Sequence, residues 1–512
     1  MKRVQMLVLL TAFFEGANVL IVEIAGARAL APFFGSSLNV WTAQITATLL
    51  FLALGYALGG YLSRGAGAWR LPAVLWISGL WLTLFPMLRA PVLGLSATLP
   101  SVALGAFLSS SVLYGIPLLC LGAVSPVLIS FLEADSAKAG EASGKVFFTN
   151  TMGGLVGGWL TAQVLIAHFP LRLTLAGCGL FLIGMGSFWG FRLRRSLFAS
   201  AATPLVAVFL FLAAPRPVYS FRLNGVPTTI VESIPSSSGL IQVFDLGLSG
   251  RSLLVDGVTQ GGMDKESGAS LYEFTLYEDF LSHRFHPRAK KALLLGLGSG
   301  VLACLLSGRG MEVSAAEIEP RMVEVARRWF GLPQSVRVFS QDGRAYLRAT
   351  SEKYDLIFLD AFAGESPPWY LSTLEALEAM RAHLNPGGRL VVNTITWSGR
   401  SSAGLARLEA GLLKVFGTAK VYTDITEDPA KLVNSIVVAG EDLKPGTEPF
   451  NGNVMEQLRP KLEALLKKER PAYALARLER DDFSDLDYAE GEMRAQWRKM
   501  LLNAMGAEVL GN

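Results

Sequence analysis

The sequence predicts a multi-span α-helical membrane domain followed by a small antiparallel β subdomain and a doubly wound α/β domain. Three observations carry this expectation. Of 512 residues, 51% are hydrophobic and the mean hydropathy is +0.40, too apolar for one large soluble protein. Charge is split along the chain: residues 1–214 hold 12 Lys/Arg and 5 Asp/Glu, against 34 and 37 in the remainder. From Lys291 onward, apolar runs of strand length alternate with helical stretches. The expected boundaries are 1–216 for the membrane domain, 217–265 for the β subdomain, 266–445 for the α/β domain and 446–512 for a helical, polar extension.

A spanning helix needs about 20 mostly apolar residues. Seven stretches qualify: 4–30, 40–62, 71–88, 102–131, 145–168, 171–191 and 197–214. The start, "MKRVQMLVLL", imitates a secretory signal, but the apolar run continues past Glu15 and Glu23 without a small-residue cleavage site. It therefore reads as a retained first span. Small residues in "LGYALGGYL" and "NTMGGLVGGWL" suit close helix contacts and need no transport role. Lys2, Arg3, Arg64, Arg70, Lys138, Lys145, Arg192, Arg194 and Arg195 share one side if all seven spans are real, which the positive-inside rule makes cytoplasmic. An odd count then puts the following domain on the other side, at odds with a cytosolic ligand, and sidedness stays open.

Glu15 and Glu23 fall inside the first span, where a charge is expensive and commonly functional. Each is either part of a polar site or conduit, or a protonated or internally paired carboxyl that orders the helices. Glu23 is the better site candidate because the chain runs on from it into a polar loop. Three cysteines (Cys120, Cys178, Cys304) and four scattered histidines (His168, His283, His286, His383) give neither a disulfide framework nor a metal-ligand spacing, so no metal is expected. The basic bias of the first part needs no nucleic acid.

The segment "TTIVESIPSSSGLIQVFDLGLSGRSLLVDGVTQGG" alternates apolar and polar residues between Ser/Gly turns, as a small antiparallel sheet does. A helical stretch, "SLYEFTLYEDFLSHRF", follows. From Lys291 the strand–helix alternation is carried by "KALLLGLGSG", "EVSAAEIEP", "SVRVFSQDG", "YDLIFLDAF", "RLVVNTI" and "SIVVAG". "LLLGLGSGVLACLL" is a strand, a glycine turn (Leu295, Gly296, Leu297, Gly298, Ser299, Gly300) and a helix whose N-terminus favours negative charge. A lone glycine turn is weak evidence. Here Glu317 ends the second strand, where a carboxylate can accept both ribose hydroxyls, and Asp342–Gly343 follows the third, placed for an adenine amino group. Asp360 closes the fourth; it could bind an amine, take its proton, or finish a turn. Four such positions at strand carboxyl ends point to a nucleoside ligand, the alternative being ordinary turn residues.

"LLVDGVTQ", "LLLGLGSG", "AAEIEP", "QDGRAYL" and "YDLIFLDAF" together resemble spermidine synthase, the aminopropyltransferase family with a methyltransferase-like, Rossmann-like fold. The likeness covers roughly residues 228–440. With "FGSSLNVWTA" and "GAVSPVLI", the whole chain is similar to multi-pass bacterial inner-membrane proteins that fuse such a domain to a helical bundle. The resemblance implies an adenosyl sulfonium ligand with no further cofactor, a lipid bilayer as surroundings, and compatibility with a homo-oligomer. It also implies Asp360 as catalytic aspartate, Glu317 as ribose ligand, Asp342 as adenine ligand, and Gln260 on the β subdomain at the ligand.

Two departures redirect the chemistry. The family's glycine motif carries an aspartate, as in GGGDGG, for the ammonium of decarboxylated S-adenosylmethionine; this chain has Ser299. The family's loop resembles DSSDP, whose second aspartate helps bind the diamine; here "DAFAGES" puts Ala363 in that register, with Glu365 two residues on. An aspartate beside the ligand's tail would repel a carboxylate by several kcal/mol at intermediate dielectric, and serine removes that repulsion. The favoured expectation is therefore a lyase. In it the carboxylate of S-adenosylmethionine attacks its own γ-carbon, giving homoserine lactone and 5′-methylthioadenosine, with Asp360 orienting the α-ammonium. The alternative is an aminopropyltransferase using a diamine, its acceptor site rebuilt from Glu365 or from Asp481, Asp482, Asp485 and Asp487. That acidic run otherwise reads as a solvated surface. A methyltransferase is a further reading, and so is a transporter or sensor in which Glu15 and Glu23 line a path. Tyr272, Gln260 and Trp397 could line the substrate tail, or simply pack.

Overall fold

The computed structural model describes residues 2–64, 70–132, 139–193, 197–362, 367–423, 426–474 and 476–510. Its internal contacts divide the chain into two units, Met1–Val218 with Leu502–Asn512, and Tyr219–Leu501.

All seven segments expected to be spans are helical. They are α1 (Lys2–Phe34), α2 (Leu38–Leu62), α3 (Arg70–Ser96), α4 (Val102–Leu132), α5 (Ala139–Leu160, running through a π-helical turn at Thr161–Leu165 to His168), α6 (Leu171–Arg192) and α7 (Leu197–Ala213). Five of them, α1–α4 and α6, are long and apolar enough to cross a membrane. The other two fall short for different reasons. Helix α7 has 17 residues, about 26 Å at 1.5 Å per residue, against a hydrocarbon core of about 30 Å. Helix α5 dilutes its apolar content with Glu141, Lys145, Asn150 and several glycines.

Glycine explains how these helices approach each other. A Cβ on Gly153 or Gly157 of α5 would strike the carbonyl oxygens of Phe13 and Ala17 on α1. One on Gly59 of α2 would sit 2.5 Å from the Ala123 oxygen of α4, and one on Gly79 of α3 2.5 Å from the Gly179 oxygen of α6. Without a hydrophobic drive between helices in lipid, backbone approach of this kind supplies the packing. Glu15 of α1 is buried and takes hydrogen bonds from Ser125 Oγ of α4 (3.0 Å) and from Asn150 Nδ2 of α5. Glu23 is half-buried, and its backbone carbonyl accepts from Gln44 Nε2 at 3.4 Å. Glu15 is thus an internally paired carboxyl that joins three helices, one of the two roles weighed for it from sequence.

The second unit opens with an antiparallel sheet in chain order, β1 (Ser220–Leu223), β2 (Val226–Pro235), β3 (Leu240–Leu246), β4 (Gly250–Val255) and β5 (Val258–Asp264). Its β1–β2 and β4–β5 turns are Asn224-Gly225 and Asp256-Gly257, all four at positive φ, as two-residue hairpin turns require. Helix α8 (Glu273–Phe285) leads into an eight-stranded sheet. In spatial order this is β13 (Glu469–Pro471), β11 (Ala419–Thr423), β12 (Leu432–Ala439), β10 (Leu384–Trp397), β9 (Tyr354–Leu359), β6 (Lys291–Leu295), β7 (Glu312–Ala316) and β8 (Arg337–Phe339). Strands β10, β9, β6, β7 and β8 are parallel, while β12, β11 and β13 are antiparallel additions. Helices α9 (Val301–Gly308), α10 (Pro320–Trp329), α11 (Gly343–Ala349), α12 (Leu374–Ala382) and α13 (Ala403–Phe416) join the strands. The order reverses at β6, which puts a crevice at the carboxyl ends of β6, β7 and β9.

The 446–512 segment is less separate than its composition suggests. Its β13 extends the sheet by pairing with β11, and Leu374 N–H donates to the Glu479 carbonyl at 2.9 Å. Helices α14 (Arg459–Leu466), α15 (Leu486–Ala489) and α16 (Gly491–Leu510) complete the chain.

Candidate functional site

The glycine turn after β6 is fixed by three neighbours. Gly296, Gly298 and Gly300 have φ of +97°, +54° and +78°, values that side chains resist. A Cβ on Gly296 would collide with the Asp360 carbonyl, and one on Gly298 would lie 2.5 Å from the Gln260 oxygen. Ser299 N–H donates to that same Gln260 oxygen at 3.1 Å. The third neighbour is Glu317, whose Oε2 accepts Leu297 N–H at 3.0 Å and whose Oε1 accepts Glu319 N–H at 2.9 Å. Burial pushes the Glu317 carboxyl up, and these backbone donors oppose the shift. Leu295, Gly296, Leu297, Gly298, Ser299, Gly300, Gln260, Glu317 and Asp360 are therefore brought together, and the glycines serve backbone approach within the protein as well as toward any ligand.

Other sequence candidates are placed differently. Asp342 caps α11, its Oδ1 accepting Arg344 N–H (2.9 Å) and Ala345 N–H (3.1 Å), while Oδ2 accepts the Tyr370 hydroxyl at 3.0 Å. Gly343 packs its Cα side on Leu295. Tyr272 lies against Gly262 of β5 and hydrogen-bonds Ser252 Oγ at 2.7 Å. Trp397 is buried, with the Arg400 guanidinium 4.8 Å above its ring. Glu365 and Ala363 lie outside the described residues. Asp481 pairs with Arg344 at 2.7 Å and Asp485 with Arg407 at 2.5 Å, so both clamp the extension onto the sheet domain.

The surroundings of Asp360 contain what sequence reading missed. Its Oδ1 accepts Asn393 Nδ2 at 2.8 Å, and Asn393 Oδ1 accepts Asn434 Nδ2 at 2.9 Å. The second bond fixes which end of the Asn393 amide faces the carboxylate. Burial pushes the Asp360 carboxyl up to about 7, against the opposing pull of Asn393. Glu278 of α8 is fully buried, and neither carboxyl oxygen has a hydrogen-bond partner among the described residues. Burial holds it well above the usual carboxylate range, and the charges of Asp360 and Asp279 add to this. Asp279, next to it, is compensated by Arg309 at 2.6 Å.

Alternation places Asp360, Asn393 and Asn434 on one face of the sheet. On the Asp360 face, Phe358 of β9, Val391 of β10 and Ile436 of β12 share a core with Leu276, Tyr277 and Phe280 of α8. Two residues further along come Asp360 and Asn393, with Ile436 opposite Asn393 on the antiparallel β12. The next level pairs Ile395 with Asn434 and the one after it Trp397 with Leu432; Ile395, Trp397 and Leu432 cluster with Met493 and are flanked by Phe362 and Trp497. Asn393 and Asn434 are thus diagonal neighbours one level apart, each with an apolar residue opposite it. A polar residue interrupting each of the runs "RLVVNTI" and "KLVNSIVVAG" was the available signal.

Residues 292–388 match the family model described as a methyltransferase domain. A probable polyamine aminopropyl transferase of Bifidobacterium longum is 30% identical over 214 residues, covering 41% of this chain and 44% of the relative. A polyamine aminopropyltransferase of Vibrio vulnificus is 36% identical over 121 residues, 22% of this chain and 40% of its own. The chain thus spans less than half of these two relatives. A polyamine aminopropyltransferase of Thermoplasma acidophilum is 29% identical over 240 residues, 44% of this chain and 85% of that protein. A solved probable spermidine synthase from Corynebacterium glutamicum aligns with TM-score 0.40 at 19% identity, over 53% of this chain and 98% of that one. The second unit is therefore spermidine synthase-like and methyltransferase-like in sequence, fused to a helical region with five membrane-length apolar helices among the described residues.

Proposed function

We propose that the second unit is an alkyltransferase of the polyamine aminopropyltransferase type, acting on an S-adenosyl sulfonium ligand and an amine acceptor. The observation that carries this reading is Asp360: a carboxyl at the end of β9, oriented by Asn393 and raised to about 7 by burial. A base with that pKa can take a proton from an ammonium near neutral pH. The freed amine attacks the carbon beside the sulfonium; the N–C bond forms as the C–S bond breaks, and the electron pair stays on sulfur in methylthioadenosine. The acceptor's proton ends on Asp360. Glu317 would hold the ribose hydroxyls. Ile318, 60% exposed between two buried glutamates, offers an apolar face to the adenine.

The reading is tested by incubating the full chain with S-adenosylmethionine, and separately with its decarboxylated form, each with and without an amine, and following products by mass spectrometry. Alkylated amine plus methylthioadenosine is the expected result. A second reading, the lyase, is favoured by Ser299, a neutral side chain where a carboxylate would oppose intact S-adenosylmethionine. Methylthioadenosine with homoserine lactone, formed without any amine, would replace the first reading by the second.

Two outcomes belong to the proposal. Activity requires ionised Asp360, so kcat/KM rises with pH through about 7 and levels above it; a profile flat from pH 5.5 to 8.5 would remove Asp360 as the base. Ile318→Asp weakens binding of methylthioadenosine about tenfold by calorimetry, because an apolar contact is replaced by a group that must desolvate. Unchanged affinity would detach Ile318 from the ligand.

A further inference from the structure

We infer that Glu278 is a second carboxyl of the site, a positioning residue that acts through space on a cation held at Asp360 and so selects ligands by their positive charge. The inference rests on the proposed transfer reaction, whose two substrates, a sulfonium and an ammonium, are both cations. It starts from a group that packing alone does not account for. Glu278 is fully buried on α8, and neither carboxyl oxygen has a hydrogen-bond partner among the described residues. As a carboxylate it lacks donors; as an acid it lacks an acceptor for its O–H. Either form costs stability, since a buried polar group without a partner keeps its full desolvation penalty. The charge that reaches it from the sheet is that of Asp360 at the end of β9, a carboxyl again. Asp360, whose Oδ1 is held by Asn393, is partly exposed and meets the ligand; Glu278 lies behind it, out of contact.

The neighbouring cations are already committed. Helix α8 packs against α9, β10, β12 and α14. Arg309, which follows α9, binds Asp279 at 2.6 Å. Arg389 of β10 donates to the carbonyls of Gly388 (3.2 Å) and Asp442 (3.4 Å). Lys461 of α14 binds Glu273, and Arg459 binds Glu456 at 3.1 Å. Strand β12 carries no charged residue, and its Asn434 is bound to Asn393. On α8 itself, His283 and Arg284 stand about one and a half turns further along. Among the described residues none of these cations pairs with Glu278 or Asp360. The empty site meets this by keeping Glu278 neutral: burial and the charges of Asp360 and Asp279 hold its carboxyl well above the usual range. A cation bound at Asp360 reverses the balance, because opposite charges attract strongly where water is scarce. Glu278 then releases its proton to solvent, and the site's negative charge rises with the positive charge it holds. A neutral nucleoside draws no such gain.

The test measures binding to the full chain by calorimetry at pH 8, above the Asp360 pKa of about 7, in two buffers of different ionisation enthalpy, which counts the protons released. The probes are 5′-methylthioadenosine, which is neutral, decarboxylated S-adenosylmethionine, and putrescine added to the methylthioadenosine complex. Wild type should release a proton with at least one of the two cationic probes and none with methylthioadenosine. Glu278→Gln should release none and bind that cationic probe about tenfold more weakly, with its methylthioadenosine affinity within about twofold of wild type. Glu278→Met leaves no polar atom unpartnered, so it should show the same losses with a raised melting temperature, and it replaces the glutamine variant should that one not fold. A loss confined to the sulfonium probe assigns Glu278 to the alkyl donor, and a loss confined to putrescine assigns it to the acceptor. Wild type releasing no proton with either cationic probe, or variants binding both as tightly as wild type, would overturn the inference. The same samples given donor and amine together report the transfer reaction: methylthioadenosine formed without alkylated amine would remove that reaction, while the affinities still decide the role of Glu278.

Discussion

Replacing Asp360 by asparagine lowers kcat/KM by about 10² to 10⁴-fold, the span covered by a positioned general base, while the protein stays folded. The folded state should tolerate the change because the Asn side-chain oxygen still accepts the Asn393 amide that Asp360 Oδ1 accepts at 2.8 Å. Removing a carboxyl whose ionised form is disfavoured by burial also costs the fold nothing above pH 7. For such a raised pKa the linkage runs one way: the folded state prefers the protonated form, so that contribution is present at low pH and is lost as pH rises through about 7. Asp360→Asn should therefore lose activity and keep or raise its melting temperature at pH 8. Product formation by mass spectrometry and a thermal scan of the same sample read both. Activity within fivefold of wild type would end the role assigned to Asp360.

Gly296→Ala should abolish ligand binding and destabilise the second unit by about 3 kcal/mol or more. Two costs coincide there. The backbone sits at φ +97°, a conformation side chains rarely adopt, and the added methyl would meet the Asp360 carbonyl oxygen, which cannot swing away because Asp360 N–H is held by Leu295 at 3.1 Å. The control is Gly310→Ala, with φ +84° but open space around the new Cβ, which should pay only the backbone strain of about 1 kcal/mol. Chemical denaturation of both variants separates the two costs. Equal loss in the two would mean that the contact with Asp360 carries no weight.

The sequence made the parallel strands and the glycine turn legible because each is announced locally, by an apolar run ending in Gly, Glu or Asp. Of the antiparallel strands, β12 was legible at "SIVVAG", while β11 and β13 were not. Strand β11 is five residues, "AKVYT", between a helix and a loop, and β13 is three residues that become a strand only against β11. Asp342 was legible as a strand-end acid, but not as a cap, since its partners Arg344 and Tyr370 are settled by folding. Asn393 and Asn434 each look like one stray polar residue; their meaning depends on a pairing across β10 and β12 that no single run contains. Glu278 and Asp279, adjacent on α8, are both fully buried, and nothing in their local sequence announces it. In the helical unit, Glu23 drew attention through the polar loop after it, while Ser125 and Asn150, which tie Glu15 to α4 and α5, are more than a hundred residues away from it.

The bond from Ser299 N–H to the Gln260 carbonyl, with Gly298 pressed on the same oxygen, makes the small sheet a structural wall of the glycine turn. These two pieces are consequently not interchangeable modules. A shortened chain starting at residue 266 would keep every strand of the large sheet, yet lose the surface against which its turn is shaped. Exchange of the small sheet between related proteins is then viable only when the donor strand presents a backbone carbonyl at the position of Gln260. The two segments are bound to change together or not at all, although some forty residues separate them in the chain.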